Sequence, residues 1–129
     1  MNQFIILLAS NSEAEKKMAD ARKRLAVAFP ENVRFSGNHW SAALVKEGHA
    51  ALQDACSMYL NAVCLGQTAL TLESVQAFLK KNEVEMGRIR GVEARGRVAV
   101  DMDLVEWNGE VLRPKDAGQG YYKVCLGDL

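Results

Sequence analysis

The sequence predicts an α+β fold: a ferredoxin-like βαββαβ sandwich, with an antiparallel sheet carrying two helices on one face. Three observations lead there. The run Val98-Ala99-Val100-Asp101-Met102-Asp103-Leu104-Val105 alternates apolar and acidic residues, as a strand with one buried face does. Two segments, after Ser12 and after Thr71, repeat apolar residues at helical spacing, and each follows a short apolar run of strand character. The resulting order of strand, helix, strand, strand, helix, strand is that of interlocked split βαβ units. At 129 residues the chain is expected to form one domain over its whole length.

Residues 3–9 are short, apolar and bounded by Ser10-Asn11-Ser12, and read as a buried strand. Ser12 with Glu15 fits a capping box opening a helix. Ala14, Met18, Ala21, Leu25 and Ala28 form its apolar stripe, and Pro30 stops it. Residues 32–40 are expected to be a second strand with Val33 and Phe35 on one side; residues 41–54, with Gly48 and mixed polarity, suggest a loop or irregular hairpin. Residues 57–66 look like a central strand. Thr71 is a good N-cap for a second helix, whose buried face is Leu72, Val75, Leu79 and Met86 and whose stop is Gly87. A strand over 98–106 follows, then the turn signal Asn108-Gly109, a short strand at 110–113 and a last strand in the tail at 121–126.

Composition narrows the function. Apolar residues make up 49% of the chain and charged residues 25%, ordinary for a soluble globular protein. Sixteen basic and sixteen acidic side chains cancel, which argues against nucleic acid or an anionic membrane as partner, as does the lack of aromatic residues at the centre of the strands against RNA. The apolar start at Phe4–Ala9 is too short to span a membrane and lacks the basic flank of a signal peptide. Cys56, Cys64 and Cys125 are odd in number and form no C-x-x-C pair, so reduced thiols in a cytoplasmic protein are expected, with Cys64 in the core.

The chemistry concentrates in two neighbouring segments. Asp101 and Asp103 fall on one side of their strand, about 7 Å apart at the backbone. Two such carboxylates repel unless a proton or a cation neutralises them, and oxygen-only ligands suit Mg²⁺. Just upstream, Arg88, Arg90, Arg95 and Arg97 lie in a glycine-containing loop, so a metal–polyphosphate site is one reading. The other is a solvated strand edge beside an exposed loop with weak ion pairs to Glu85 and Glu93. Glu83 stands near a helix C-terminus, against the dipole, which hints at a task elsewhere. Asn61 on a central strand needs buried partners or a ligand. His39 and His49 read as surface or loop residues, and Trp40 and Trp107 as packing residues.

The segment Tyr59-Leu60-Asn61-Ala62-Val63, then Glu83 to Arg90, Gly96 and Asp101-Met102-Asp103-Leu104 resembles the 6-hydroxymethyl-7,8-dihydropterin pyrophosphokinase family. The likeness covers about residues 57–112, and Leu8-Ala9-Ser10-Asn11 is similar to the family's Leu-Gly-Ser-Asn opening. The resemblance implies a ferredoxin-like core and Mg²⁺-dependent transfer of pyrophosphate from ATP to the pterin alcohol in folate biosynthesis. It also implies roles. Asp101 and Asp103 coordinate metal; Arg88 and Arg97 act in catalysis; Glu83, Arg88 and Arg90 serve the nucleotide; Asn61 and Tyr59 serve the pterin.

The chain departs from the family pattern in places. Gly96-Arg97-Val98 stands for Gly-Pro-Arg, and Ala9 for the opening glycine. The Tyr-x-Thr-x-Pro loop is replaced around Trp40-Ser41-Ala42-Ala43. Tyr121-Tyr122 occupies the region of a His-Tyr pair, and the second half of the nucleotide site is expected to be missing. The alternative to the enzyme is therefore a catalytically impaired relative that binds a pterin or nucleotide, or serves as a protein-interaction domain.

Overall fold

The computed structural model describes residues 1–42, 58–94 (Val92 by its backbone alone) and 96–129. In order these form β1 (Asn2–Ser10), α1 (Ala14–Ala28), β2 (Val33–Phe35), β3 (His39–Ala42), β4 (Met58–Thr68), α2 (Leu72–Glu85), a 3₁₀ turn (Val92–Ala94), β5 (Asp101–Trp107), β6 (Glu110–Val111), α3 (Pro114–Ala117) and α4 (Gly120–Gly127).

The sheet runs β2-β4-β1-β5-β6, and β3 also pairs with β4. Every pairing is antiparallel. β1 and β2 are thus parallel to each other with β4 between them, and β4 and β5 are parallel with β1 between them. These are two interlocked split βαβ units, and the architecture is the α+β, ferredoxin-like one expected.

Alternation along β1 sorts the two faces. Phe4, Ile6 and Leu8 face α1 (Met18, Ala21, Leu25) and α2 (Val75, Leu79) in the main core, joined by Leu60, Ala62 and Cys64 of β4 and Met102 and Leu104 of β5. Phe29 closes one end, its ring 4.9 Å from that of Phe4 and 5.7 Å from that of Phe78. Cys64 is buried here as expected, and burial pushes its thiol up to about 12. Ends of α2 follow the sequence signals. Thr71 accepts the Ser74 amide at 3.2 Å. Gly87, at φ +94°, turns the chain so that its own amide and that of Arg88 donate back to Val84 and Glu83 at 3.0 Å each.

Four expectations are corrected. The tail at 121–126 is helix α4, not a strand. Its Tyr122, Cys125, Leu126 and Leu129 recur at helical spacing and pack on Leu7, Val63 and Val105 across the sheet face that the main helices leave open. Burial on that face overrides the strand propensity of Tyr-Tyr-x-Val. The strand at 32–40 is broken into β2 and β3. Between them Ser36 leaves the ladder, its amide donating to Val63 O and its hydroxyl accepting the Val63 amide. The capping box at Ser12 and Glu15 does not form. Glu13, in a left-handed conformation, precedes α1 with no side-chain cap, while Ser10 and Asn11 turn toward residues 96–99. Finally, β5 starts at Asp101, and Val98–Val100 form an irregular lead-in held by those two residues. Residues 43–54 of the ambiguous stretch, including His49, and Cys56 lie outside the described residues, as does Arg95. Among the described residues no helix is long and apolar enough to cross a membrane.

Candidate functional site

The open face of the sheet carries the polar residues singled out above. Met102 and Leu104 point into the main core, so Asp101 and Asp103 must point the other way, toward the side that α4 partly covers. Register fixes their neighbours. Asp101 pairs with Ala9, which pairs on its other side with Asn61; Asp103 pairs with Leu7, which pairs with Val63. Asp101 and Asn61 therefore flank Ala9, about 10 Å apart across two strand spacings. The small side chain of Ala9 leaves a floor between them. The hairpin at Asn108-Gly109 forms with both residues at positive φ, as its turn type requires. A β-bulge at Val105, opposite Ile5, turns both Val105 and Glu106 to this face, where Glu106 accepts the Tyr122 hydroxyl at 2.6 Å.

A third carboxylate arrives from α2. Glu83 is 3% exposed. Its Oε2 accepts the Met102 amide at 2.6 Å and its Oε1 accepts Arg90 Nη2 at 3.0 Å. Each of Glu83, Asp101 and Asp103 places one oxygen within 4.8 Å of the others. Such crowding is unfavourable for three charges. Burial first, then the Asp101 carboxylate, push Asp103 up to about 7, with Arg113 opposing. Burial likewise raises Glu83, against the Met102 amide that holds it down, and Asp101 adds to the rise. A proton or a cation relieves this, and the donor set, all hard oxygens from carboxylates, fits Mg²⁺.

The arginines are spread around this cluster. Arg90 reaches Glu83 with half of its side chain in solvent. Arg88 is half-buried, and its Nε is enclosed with no hydrogen-bond partner among the described residues. Arg97 is exposed. The lead-in that carries it is fastened to the end of β1: Asn11 Nδ2 donates to Gly96 O at 2.9 Å, Asn11 Oδ1 accepts the Val98 amide at 2.5 Å, and Ser10 Oγ donates to Ala99 O at 2.6 Å. On the far side Asn61 is buried, its Nδ2 donating to Ser41 Oγ at 2.8 Å and to His39 O at 3.0 Å. Tyr59, half-buried, pairs with Ser41. His39 Nε2 lies 2.6 Å from Asp128 Oδ2, a contact that ties β3 to the end of α4. Trp40 is 52% exposed, not packed as expected, since it lies on β3 at the rim of the sheet; Trp107 packs on the main core.

Three residues near the acids were not singled out from sequence. Arg113 Nη1 stands 3.8 Å from Asp103 Oδ1, and its Nε donates to Asp116. Tyr121 lies half-buried on α4; burial raises its phenol, and Asp116, Asp101 and Asp103 raise it further. The reading of the tail as a strand hid Tyr121, whereas the helical spacing of Tyr122, Cys125, Leu126 and Leu129 was the available signal. Arg113 and Asp116, three residues apart around Pro114, carried no motif.

Residues 5–126 match the family model described as 7,8-dihydro-6-hydroxymethylpterin-pyrophosphokinase. No curated protein matches the chain.

Proposed function

This chain belongs to the 7,8-dihydro-6-hydroxymethylpterin-pyrophosphokinase family, and from that premise we propose that it transfers pyrophosphate from ATP to 6-hydroxymethyl-7,8-dihydropterin. Pyrophosphoryl transfer in folate synthesis is the family's reaction. The finer assignment to this chain rests on one observation: Glu83, Asp101 and Asp103 converge to within 4.8 Å. We further propose that the chain acts as one domain in the cytoplasm.

In this reading Asp101 and Asp103 hold Mg²⁺, with Glu83 beside them on the nucleotide side. The ion, when bound, neutralises phosphate charge and orients the chain of phosphates. The remaining steps belong to side chains. Arg88, Arg90 and Arg97 contact phosphate oxygens and offset the charge that grows on the leaving group. Among the described residues the buried Nε of Arg88 has no acceptor, which supports its part, since such a donor is costly until a ligand supplies one. Asn61 and Tyr59 orient the pterin over the floor at Ala9. The pterin hydroxyl oxygen bonds to the β-phosphorus, the bond from that phosphorus to the bridging oxygen breaks, AMP departs, and the hydroxyl proton passes to solvent. No covalent enzyme intermediate is needed.

An AMP-release assay with ATP, Mg²⁺ and the dihydropterin tests the proposal, alongside the Asp101→Ala, Asp103→Ala double variant. AMP release by the native chain and its loss in the double variant are expected. A folded native chain that binds the pterin but releases no AMP would instead identify the catalytically impaired relative. Unchanged Mg²⁺-dependent nucleotide affinity in the double variant would remove the metal assignment.

A further inference from the structure

We propose that Arg113 is a phosphate-binding residue of this site, contacting the nucleotide whose metal Asp103 holds. The inference rests on the reading above and adds a residue that the arginine-rich loop does not contain. Arg113, at the joint between β6 and α3, meets the acidic cluster at Asp103, whereas Arg90 meets it at Glu83.

Its guanidinium is held by one edge and open at the other. Nε donates to Asp116 Oδ2, an i,i+3 contact, while Nη1 lies 3.8 Å from Asp103 Oδ1, too far for a hydrogen bond. Asp116 sits in the short helix that Pro114 opens, and the Ala117 amide donates to Arg113 O at 3.0 Å. The anchor is therefore built into a rigid turn, and it orients the free edge toward the cluster. Half of the Arg113 side chain remains in solvent, so a ligand can reach it.

A guanidinium this close to Asp103 could serve only as its counter-ion. One feature speaks for more. Asp116 already neutralises Arg113, and it does so at hydrogen-bond distance, so the pairing with Asp103 at 3.8 Å is the weaker of the two. As a ligand for phosphate it is well placed. A phosphate oxygen that shares an ion with a carboxylate oxygen lies about 3–4 Å from it by ordinary Mg–O lengths. That is the distance at which Arg113 Nη1 already stands.

Calorimetric titration with Mg²⁺ and α,β-methylene-ATP, in the native chain and in Arg113→Ala and Arg113→Lys, decides the matter. A parallel titration uses Mn²⁺ alone. The alanine variant is expected to bind the Mg²⁺–nucleotide at least about tenfold more weakly, as loss of a charged hydrogen bond implies. Lysine should restore part of the affinity, and Mn²⁺ alone should bind no more weakly in either variant. A counter-ion would give the opposite result: tighter Mn²⁺ binding in Arg113→Ala and nucleotide affinity unchanged or improved. That outcome overturns the inference and leaves the proposed function standing. If the native chain binds no Mg²⁺–nucleotide at all, both fall together.

Discussion

Replacing Asn11 by alanine isolates the part of the site that depends on the end of β1. Asn11 makes two side-chain hydrogen bonds to the lead-in of β5: Nδ2 to Gly96 O at 2.9 Å, and Oδ1 from the Val98 amide at 2.5 Å. Its backbone amide, which donates to Val98 O at 3.0 Å, survives the change. Each lost bond contributes about 0.5–1.5 kcal/mol, and the half-buried Val98 amide left without an acceptor raises the total, so a loss of about 2–3 kcal/mol of stability is expected. Urea unfolding followed by circular dichroism measures it. The effect on turnover has a separate origin. Residues 96–100 carry Arg97 and deliver the chain to Asp101, and displacement of such groups by about 1 Å can lower a rate by about a hundredfold. Below the unfolding transition, kcat for AMP release should fall at least about tenfold, while pterin affinity, which the proposed function places at Asn61 on β4, should stay near native. Asn11→Asp keeps the acceptor for the Val98 amide and should fall between. Native kcat in a measurably destabilised Asn11→Ala would show that the lead-in does not position the site.

Two further predictions concern charge and the C-terminal helix. Burial, and then the Asp101 carboxylate, push Asp103 up to about 7 in the fold against 3.8 for an ordinary aspartate, so the folded chain is expected to bind more protons than the unfolded one in between, and stability should be greatest at the acid end of that window and fall as pH rises through 7. Melting temperatures at pH 5 and pH 8 check this: in EDTA the apo chain should melt lower at pH 8, Mg²⁺ should remove most of the difference, and a flat or rising profile in EDTA would contradict the assigned origin. Tyr122→Phe removes only the hydroxyl that donates to Glu106 at 2.6 Å. It should cost about 1.5–3 kcal/mol, the range for a bond to a charged group, read by urea unfolding, and an unchanged midpoint would show that this hydroxyl does not help to hold α4.

The sheet and its two long helices were legible because their signals are local. Apolar runs of the right length, the Thr71 cap, Gly87 and Asn108-Gly109 act within a few residues, and they correspond to β1, β4, α2 and the β5–β6 hairpin. Failures have a common cause in long-range contacts. Ser10 and Asn11 bond to residues nearly ninety positions away, so the turn before α1 is shaped by contacts that no local signal carries. The tail becomes a helix because an open sheet face lies above Leu7 and Val63, which no property of residues 121–126 announces beyond their spacing. At the site, alternation alone placed Asp101 and Asp103 on one face. Convergence of Glu83 on them depends on how α2 crosses β5, and the approach of Arg113 depends on where the hairpin ends; neither is written in a spacing.

The acidic cluster has a structural root that also argues for its charge. Among the described residues β6 pairs with β5 at Glu106 and Trp107, and no described strand lies beside the outer edge of β5 at Asp101–Asp103. The Met102 amide points out along that edge and needs an acceptor, because Met102 itself is buried. Glu83 provides it from α2, and in doing so brings a third carboxylate against the pair. A neutral glutamine oxygen would accept the same amide, without the helix-end penalty and without a second cost of charge, since burial first and then the Asp101 carboxylate raise both Glu83 and Asp103. Backbone satisfaction therefore explains why a side chain reaches this edge, but not why it is ionisable. Arg90 offsets part of the charge from a largely solvated position, where ion pairs contribute little. What remains is a surplus of negative charge focused at the open face, and a divalent cation with its phosphate ligands is the partner whose charge and oxygen preference match it.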